Sequence, residues 1–182
     1  MSLHPLPVLA AAAALALSAV AQAQPPGEGS VPVELSLSNE AQLAGSHSAV
    51  HGLRVNLVSG TSRQVQGLDL AGLAGRTEGN SRGLQLGFYH EVAGDLHGCQ
   101  LGLLAADVEG SARGVQAAAF WTHAGSARGL QLSGLANQAG HMHGLQFSLV
   151  NWADELDGLQ IGLINIHRHG RIPVLPVFNF GR

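Results

Sequence analysis

Ten histidines and nine arginines, with no lysine, are the side chains of this 182-residue chain best suited to bind or react. His141 and His143 flank Met142, and His167 and His169 flank Arg168. On a strand, residues two apart share a face, so either pair could chelate a metal ion. Neither pair has a Cys, Asp or Glu within two residues, and the expectation is that no metal is held. Cys99 is the single cysteine and can form no disulfide within the chain. Gly98 and Gln100 beside it offer no group that would activate the thiol, so it is expected to pack as a small apolar residue. Asp154, Glu155 and Asp157 read as a polar turn. A phosphate loop, a G-x-S-x-G elbow and a dinucleotide fingerprint are all missing. The chain is therefore expected to be no enzyme, with no catalytic residue and no cofactor.

A different set has a more telling position. Arg82, His97, Arg113, Arg128 and His143 each stand immediately before a glycine, and those glycines open copies of one phrase, Gly-Leu-Gln-Leu-Gly-Leu. The phrase recurs eight times, from Gly52, Gly67, Gly83, Gly98, Gly114, Gly129, Gly144 and Gly158. The steps are 14 to 16 residues, the mark of a repeat architecture. If the units stack, the five basic residues form a stripe with charges about 4.8 Å apart. Such a stripe could bind an anionic polymer such as an envelope polysaccharide, or another surface protein. The simpler expectation is a solvated edge whose charges meet the nearby Asp95, Asp107 and Glu109. A net charge of −3 gives no nucleic-acid footprint.

Counting from each opening glycine, positions one, three and five are mostly aliphatic, as in Leu84, Leu86 and Phe88 or Leu159, Ile161 and Leu163. That alternation predicts a strand. Position two is Gln in six units, from Gln85 to Gln160, but Arg54 and Asp69 in the first two; position four is small in all but the first. Position six is apolar again, so the chain must turn there. A unit of this size cannot offset the entropy of its own ordering and must share a core with its neighbours. The expected fold is all-β, a β-solenoid of about eight 15-residue coils. Its aliphatic positions would form a continuous apolar core, and its glutamines would stack in ladders.

An eight-stranded antiparallel outer-membrane β-barrel, acting as a small pore or anchor, is the alternative. The ending Pro176-Val177-Phe178-Asn179-Phe180-Gly181-Arg182 favours it. Against it, alternation lasts about five residues per unit, where a membrane strand needs roughly 9–11. At the other end, the apolar run Val8 to Val20 followed by Ala21-Gln22-Ala23 reads as a signal peptide, giving a mature chain from Gln24. The expected organisation is a signal peptide over 1–23, an N-terminal segment and cap over 24–50, a repeat domain over 51–170 and a C-terminal cap strand over 171–182. The expected destination is the periplasm, outer membrane or cell surface.

The units at Gly144 and Gly158, the latter running Gly158-Leu159-Gln160-Ile161-Gly162-Leu163-Ile164-Asn165, together with the ending, resemble a family of uncharacterised bacterial surface-repeat proteins built from tandem G-[LV]-Q-[LI]-G-L-x-N units. The resemblance covers roughly Gly52 to Gly181 and implies an exported, envelope-associated protein with no assigned catalytic residues. The family's asparagine is matched at Asn151 and Asn165, while His90, Ala105, Trp121 and Ala136 stand at that offset elsewhere.

Overall fold

The computed structural model describes residues 30–38, 41–42 and 49–182, which form strands and turns with no helix. The expected signal peptide lies outside the described residues. The strands are β1 (Ser30–Ser38), β2 (Ala41–Gln42), β3 (Ala49–Asn56), β4 (Ser59–Ser62), β5 (Gln64–Thr77) and β6 (Ser81–Val92). They continue with β7 (Leu96–Ala118), β8 (Trp121–Ser133), β9 (Ala136–Phe147), β10 (Val150–His167) and β11 (Val174–Gly181). Every pairing from β3 to β10 is parallel, and the sheet runs open from β2 to β11. A barrel needs antiparallel neighbours and a closing pair. The chain is a β-solenoid of about eight coils, and the barrel alternative falls. Only the ends pair antiparallel, β1 with β2 and β10 with β11.

The opening glycines fix the stacking. Gly67 lies on Gly52, Gly83 on Gly67, and so on to Gly158 on Gly144. All eight have φ between 121° and 149°, which side chains rarely adopt. A Cβ on any of the later seven would lie 2.0–2.2 Å from the carbonyl oxygen of the glycine one coil before. The phrase must therefore open with Gly for both reasons.

The structure reverses the expected faces. Gln85, Gln100, Gln116, Gln131, Gln146 and Gln160 point inward and are at most 2% exposed, while the aliphatic positions point out. The apolar core is thin. It lies at the opposite strand's inner face and the turn leading to the glycine, in Val92, Val108, Ala124, Ala139 and Ala153 with Leu96, Ala112, Ala127, Met142 and Leu156. Polar ladders fill the rest. Nε2 of Gln116, Gln131, Gln146 and Gln160 each donates to Oε1 of the glutamine one coil earlier, at 2.7–3.0 Å. The same nitrogens donate across the coil, to the carbonyls of His123, Gln138, Trp152 and Ile166. Both amide hydrogens are thus used, which removes the penalty of burying an unmade donor.

A second ladder corrects the asparagine reading. Coils one, two and four to six carry one more residue at the turn than coils three, seven and eight, so the inner position in coils four to six is Ala106, Thr122 and Asn137, not Ala105, Trp121 and Ala136. Thr122 Oγ1 donates to Asn137 Oδ1 (2.6 Å), Asn137 Nδ2 to Asn151 Oδ1 (3.0 Å) and Asn151 Nδ2 to Asn165 Oδ1 (2.8 Å).

At the N-terminal end the interior is ionic. Arg54 and Asp69, both fully buried, hold the Gln position. Arg54 Nε donates to Asp69 Oδ1 at 2.7 Å, its Nη2 to Asp69 Oδ2, and its Nη1 to the Arg76 carbonyl at 3.0 Å. Gln85 Nε2 donates to the same carboxylate at 3.1 Å. Glu34 accepts from Ser62 Oγ at 2.8 Å, and burial pushes its pKa up from 4.5 against the opposing pull of that bond and of Arg54. His90 sits over Gly75 and Gly87, where any Cβ would meet its ring nitrogens at 2.7–2.8 Å. Burial pushes the His90 pKa below 6.5, more than Asp69, 3.6 Å away, raises it.

The signs follow by linkage. A depressed His90 pKa contributes stability present above pH 6.5 and lost as pH falls through its folded value. A raised Glu34 pKa contributes stability present below 4.5 and lost as pH rises through its folded value. His90→Ala is therefore expected to flatten the fall in urea midpoint between about pH 6.5 and 5. An unchanged slope in that window would show that His90 carries none of it.

Candidate functional site

The solenoid has two unlike outer faces. The first is built by positions one, three and five of eight coils, and none of those 24 side chains is buried, charged, amide or hydroxyl. They are Leu, Val, Ile, Phe, Ala or Gly, with Cys99 half-exposed among them. Cys99 is thus not packed inside as expected but stands on the Leu84 row. Leu103, Phe147, Leu149 and Leu163 are 45–67% exposed. The capping strand extends the face, since Phe180 pairs with Leu159 and Phe178 with Ile161. Both phenylalanines are exposed. From β1 to β11 this is about 43 Å by 13 Å at ordinary strand spacing and rise. An area on the order of 600 Å² is at the top of what single proteins leave bare. Where Ala117 stands between Leu101 and Leu132, the face dips into an open groove of about 680 Å³ floored by Gly87 and Gly102 and closed at one end by Phe147.

The apolar surface also turns a corner. Position six places Val58, Leu73, Leu104, Phe120 and Leu135 at the bend, each 43–57% exposed. Beyond it, the first row of the second face holds Tyr89, Ala105, Trp121, Ala136 and Val150 in register. The next row is polar apart from Trp152: Arg76 pairs with Glu91 at 2.6 Å and His123 with Asp107 at 2.7 Å, with Trp121 stacked on His123.

The other border of the leucine face is the row before the glycines. Arg82 aligns with His97, Arg113 with Arg128, Arg128 with His143, and His143 with Asp157. Arg113 Nη1 lies 3.3 Å from His97 Nε2, bridging the two halves of the row. All five residues singled out from sequence therefore share one edge, with Arg82, Arg113, Arg128 and His143 exposed and His97 half-buried. His143 meets Asp157 at 2.8 Å. Among the described residues no carboxylate is in ion-pair range of Arg82, Arg113 or Arg128. Asp95 accepts the Ser111 N–H and Asp107 holds His123.

The two histidine pairs separate. Met142 is buried between an outward His141, 3.4 Å from Glu155, and an outward His143. His167 is half-buried and accepts the Leu156 N–H at 3.2 Å, while His169 is exposed. Among the described residues no three His, Cys, Asp or Glu side chains gather at one point. The charged cluster of Glu34, Arg54, Asp69 and His90 is sealed from solvent, so it braces the N-terminal coils and meets no ligand. The outward leucine face is the feature that sequence reasoning missed. No protein-family model matches the chain, and no curated protein or solved structure gives a match.

Proposed function

We propose that this chain is a non-enzymatic exported protein of the bacterial envelope, and that its work is structural, adhesive or binding contact made through the leucine face and its arginine and histidine border. The observation that carries the reading is the run of 24 outward positions without a charged, amide or hydroxyl group, on a fold whose other face carries ion pairs. A solenoid needs no such face for its own stability, because its interior is closed by the amide ladders and the thin core. The leader-like N-terminus and the resemblance to surface-repeat proteins supply the address.

Fractionation of producing cells tests this reading. The chain is expected in the envelope or periplasmic fraction, with its first residue at Gln24 by mass spectrometry. Recovery in the cytoplasm with Met1 to Ala23 still attached would sink it.

A further inference from the structure

We infer that the leucine face seats this protein on an anionic lipid surface, with acyl chains against the face and its corner and lipid phosphates against the arginine row. The inference rests on the envelope reading above and names the partner of the same surface. Three observations choose lipid over a second copy of the chain.

The first is shape. The apolar surface does not end with the flat face but continues round the bend through Leu73, Leu104, Phe120 and Leu135. A second solenoid laid face to face would cover the flat part and leave the bend in water. A fluid hydrocarbon phase covers both, and fills the dip over Ala117 as well.

The second is how the aromatic residues are sorted. All five phenylalanines lie on the face, the bend or the capping strand, as Phe88, Phe120, Phe147, Phe178 and Phe180. The only tyrosine and the two tryptophans lie just past the bend, Tyr89 and Trp121 in the first row and Trp152 in the next. Rings with a polar handle collect where hydrocarbon meets water, and purely apolar rings go deeper.

The third is charge. On the opposite border Arg82, Arg113 and Arg128 project from the edge with no carboxylate in reach among the described residues. Guanidinium groups at the rim of an apolar surface can snorkel and bind phosphate oxygens in pairs. The pairs Arg76–Glu91 and His123–Asp107 then face away into water. The protein lies on the bilayer and does not cross it.

The test uses the full chain carrying an environment-sensitive fluorophore on Cys99, the only thiol, which stands on the face itself. Vesicles of phosphatidylcholine and phosphatidylglycerol at three to one are compared with phosphatidylcholine alone. The labelled chain is expected to float with the anionic vesicles and its emission to shift to the blue. Arg82→Gln, Arg113→Gln and Arg128→Gln together should weaken that binding by roughly a hundredfold at low salt. Leu103→Asp with Phe147→Asp should abolish it, with the β-type circular dichroism retained; Leu103→Ser with Phe147→Ser gives a milder version in which folding is not in question. Three results would each overturn the inference. These are no flotation of the unsubstituted chain, flotation of the aspartate variant equal to it (which would assign binding to the run Val8 to Val20), and a solution dimer that shifts the probe without lipid. Vesicle failure alongside envelope recovery rejects lipid and keeps the envelope reading, whereas cytoplasmic recovery rejects that reading whatever the vesicles show.

Discussion

Asp69→Ala is expected to lower the unfolding free energy by about 3–5 kcal/mol, the cost of stranding a buried charge. That is about a fifth or more of the roughly 5–15 kcal/mol that a small domain has. Asp69 receives Arg54 through two nitrogens and Gln85 through one, and neither Arg54 nor Asp69 touches water. Removing it leaves a buried guanidinium whose remaining partners are the Arg76 carbonyl and Thr77 Oγ1. The informative companion is Arg54→Gln with Asp69→Gln. Six later coils carry Gln at this position, and the Arg76 carbonyl already stands where the His123 carbonyl stands for Gln116. The double variant should recover to within about 1–2 kcal/mol of the parent, because a well-matched neutral replacement for a buried pair costs little. Urea midpoints followed by circular dichroism read both. A double variant as weak as Asp69→Ala would show that the ion pair does more than fill the ladder.

Gly129→Ala should be comparably severe, about 3–5 kcal/mol or more. Its backbone sits at φ 128°, and the new Cβ would lie 2.2 Å from the Gly114 carbonyl oxygen. Relief requires the two coils to part at the point where Gln131 donates to Gln116 two residues on. In a stack whose units contact only their neighbours, a break in the middle uncouples the coils on either side. Unfolding should therefore broaden as well as shift. Leu103→Ala supplies the contrast: it deletes a larger apolar side chain, but one 60% exposed, and should move stability by no more than about 0.5 kcal/mol. A large loss there, with a small one at Gly129, would contradict the outward placement of the leucines.

Period, strand and ladder are legible in the sequence because each is a spacing. The inner and outer sides are not, because polarity is a poor guide once amides can satisfy one another. A glutamine with two donors and a stacked copy needs no water, and an aliphatic row can face outward if something else covers it. A better guide was present in side-chain volume. Position four never exceeds Ala or Ser after the first coil, since a Cβ on Gly87 or Gly102 would strike backbone oxygen at 2.2–2.3 Å. Position five reaches Leu57, Phe88, Leu103, Leu149 and Leu163, a size that belongs to an outer surface. The asparagine row was obscured for another reason: one added residue at the bend shifts the inner offset from seven to eight, so Asn137 falls out of step with Asn151 and Asn165 in sequence but not in space. The arginine row needed no such correction, because it adjoins the invariant stacking glycine.

The glutamine ladder has a direction. From Gln160 back to Gln116 each glutamine donates one amide hydrogen toward the start of the chain, to the oxygen of the copy before it, while its second hydrogen goes across the coil. Each inner rung is therefore donor to one neighbour and acceptor from the other, and any two rungs are interchangeable. A whole coil can be duplicated or deleted in the middle without leaving an amide unanswered, whereas half a coil cannot. Length in such a protein changes in single-coil steps of about 4.8 Å, and each step lengthens the leucine face by the same amount.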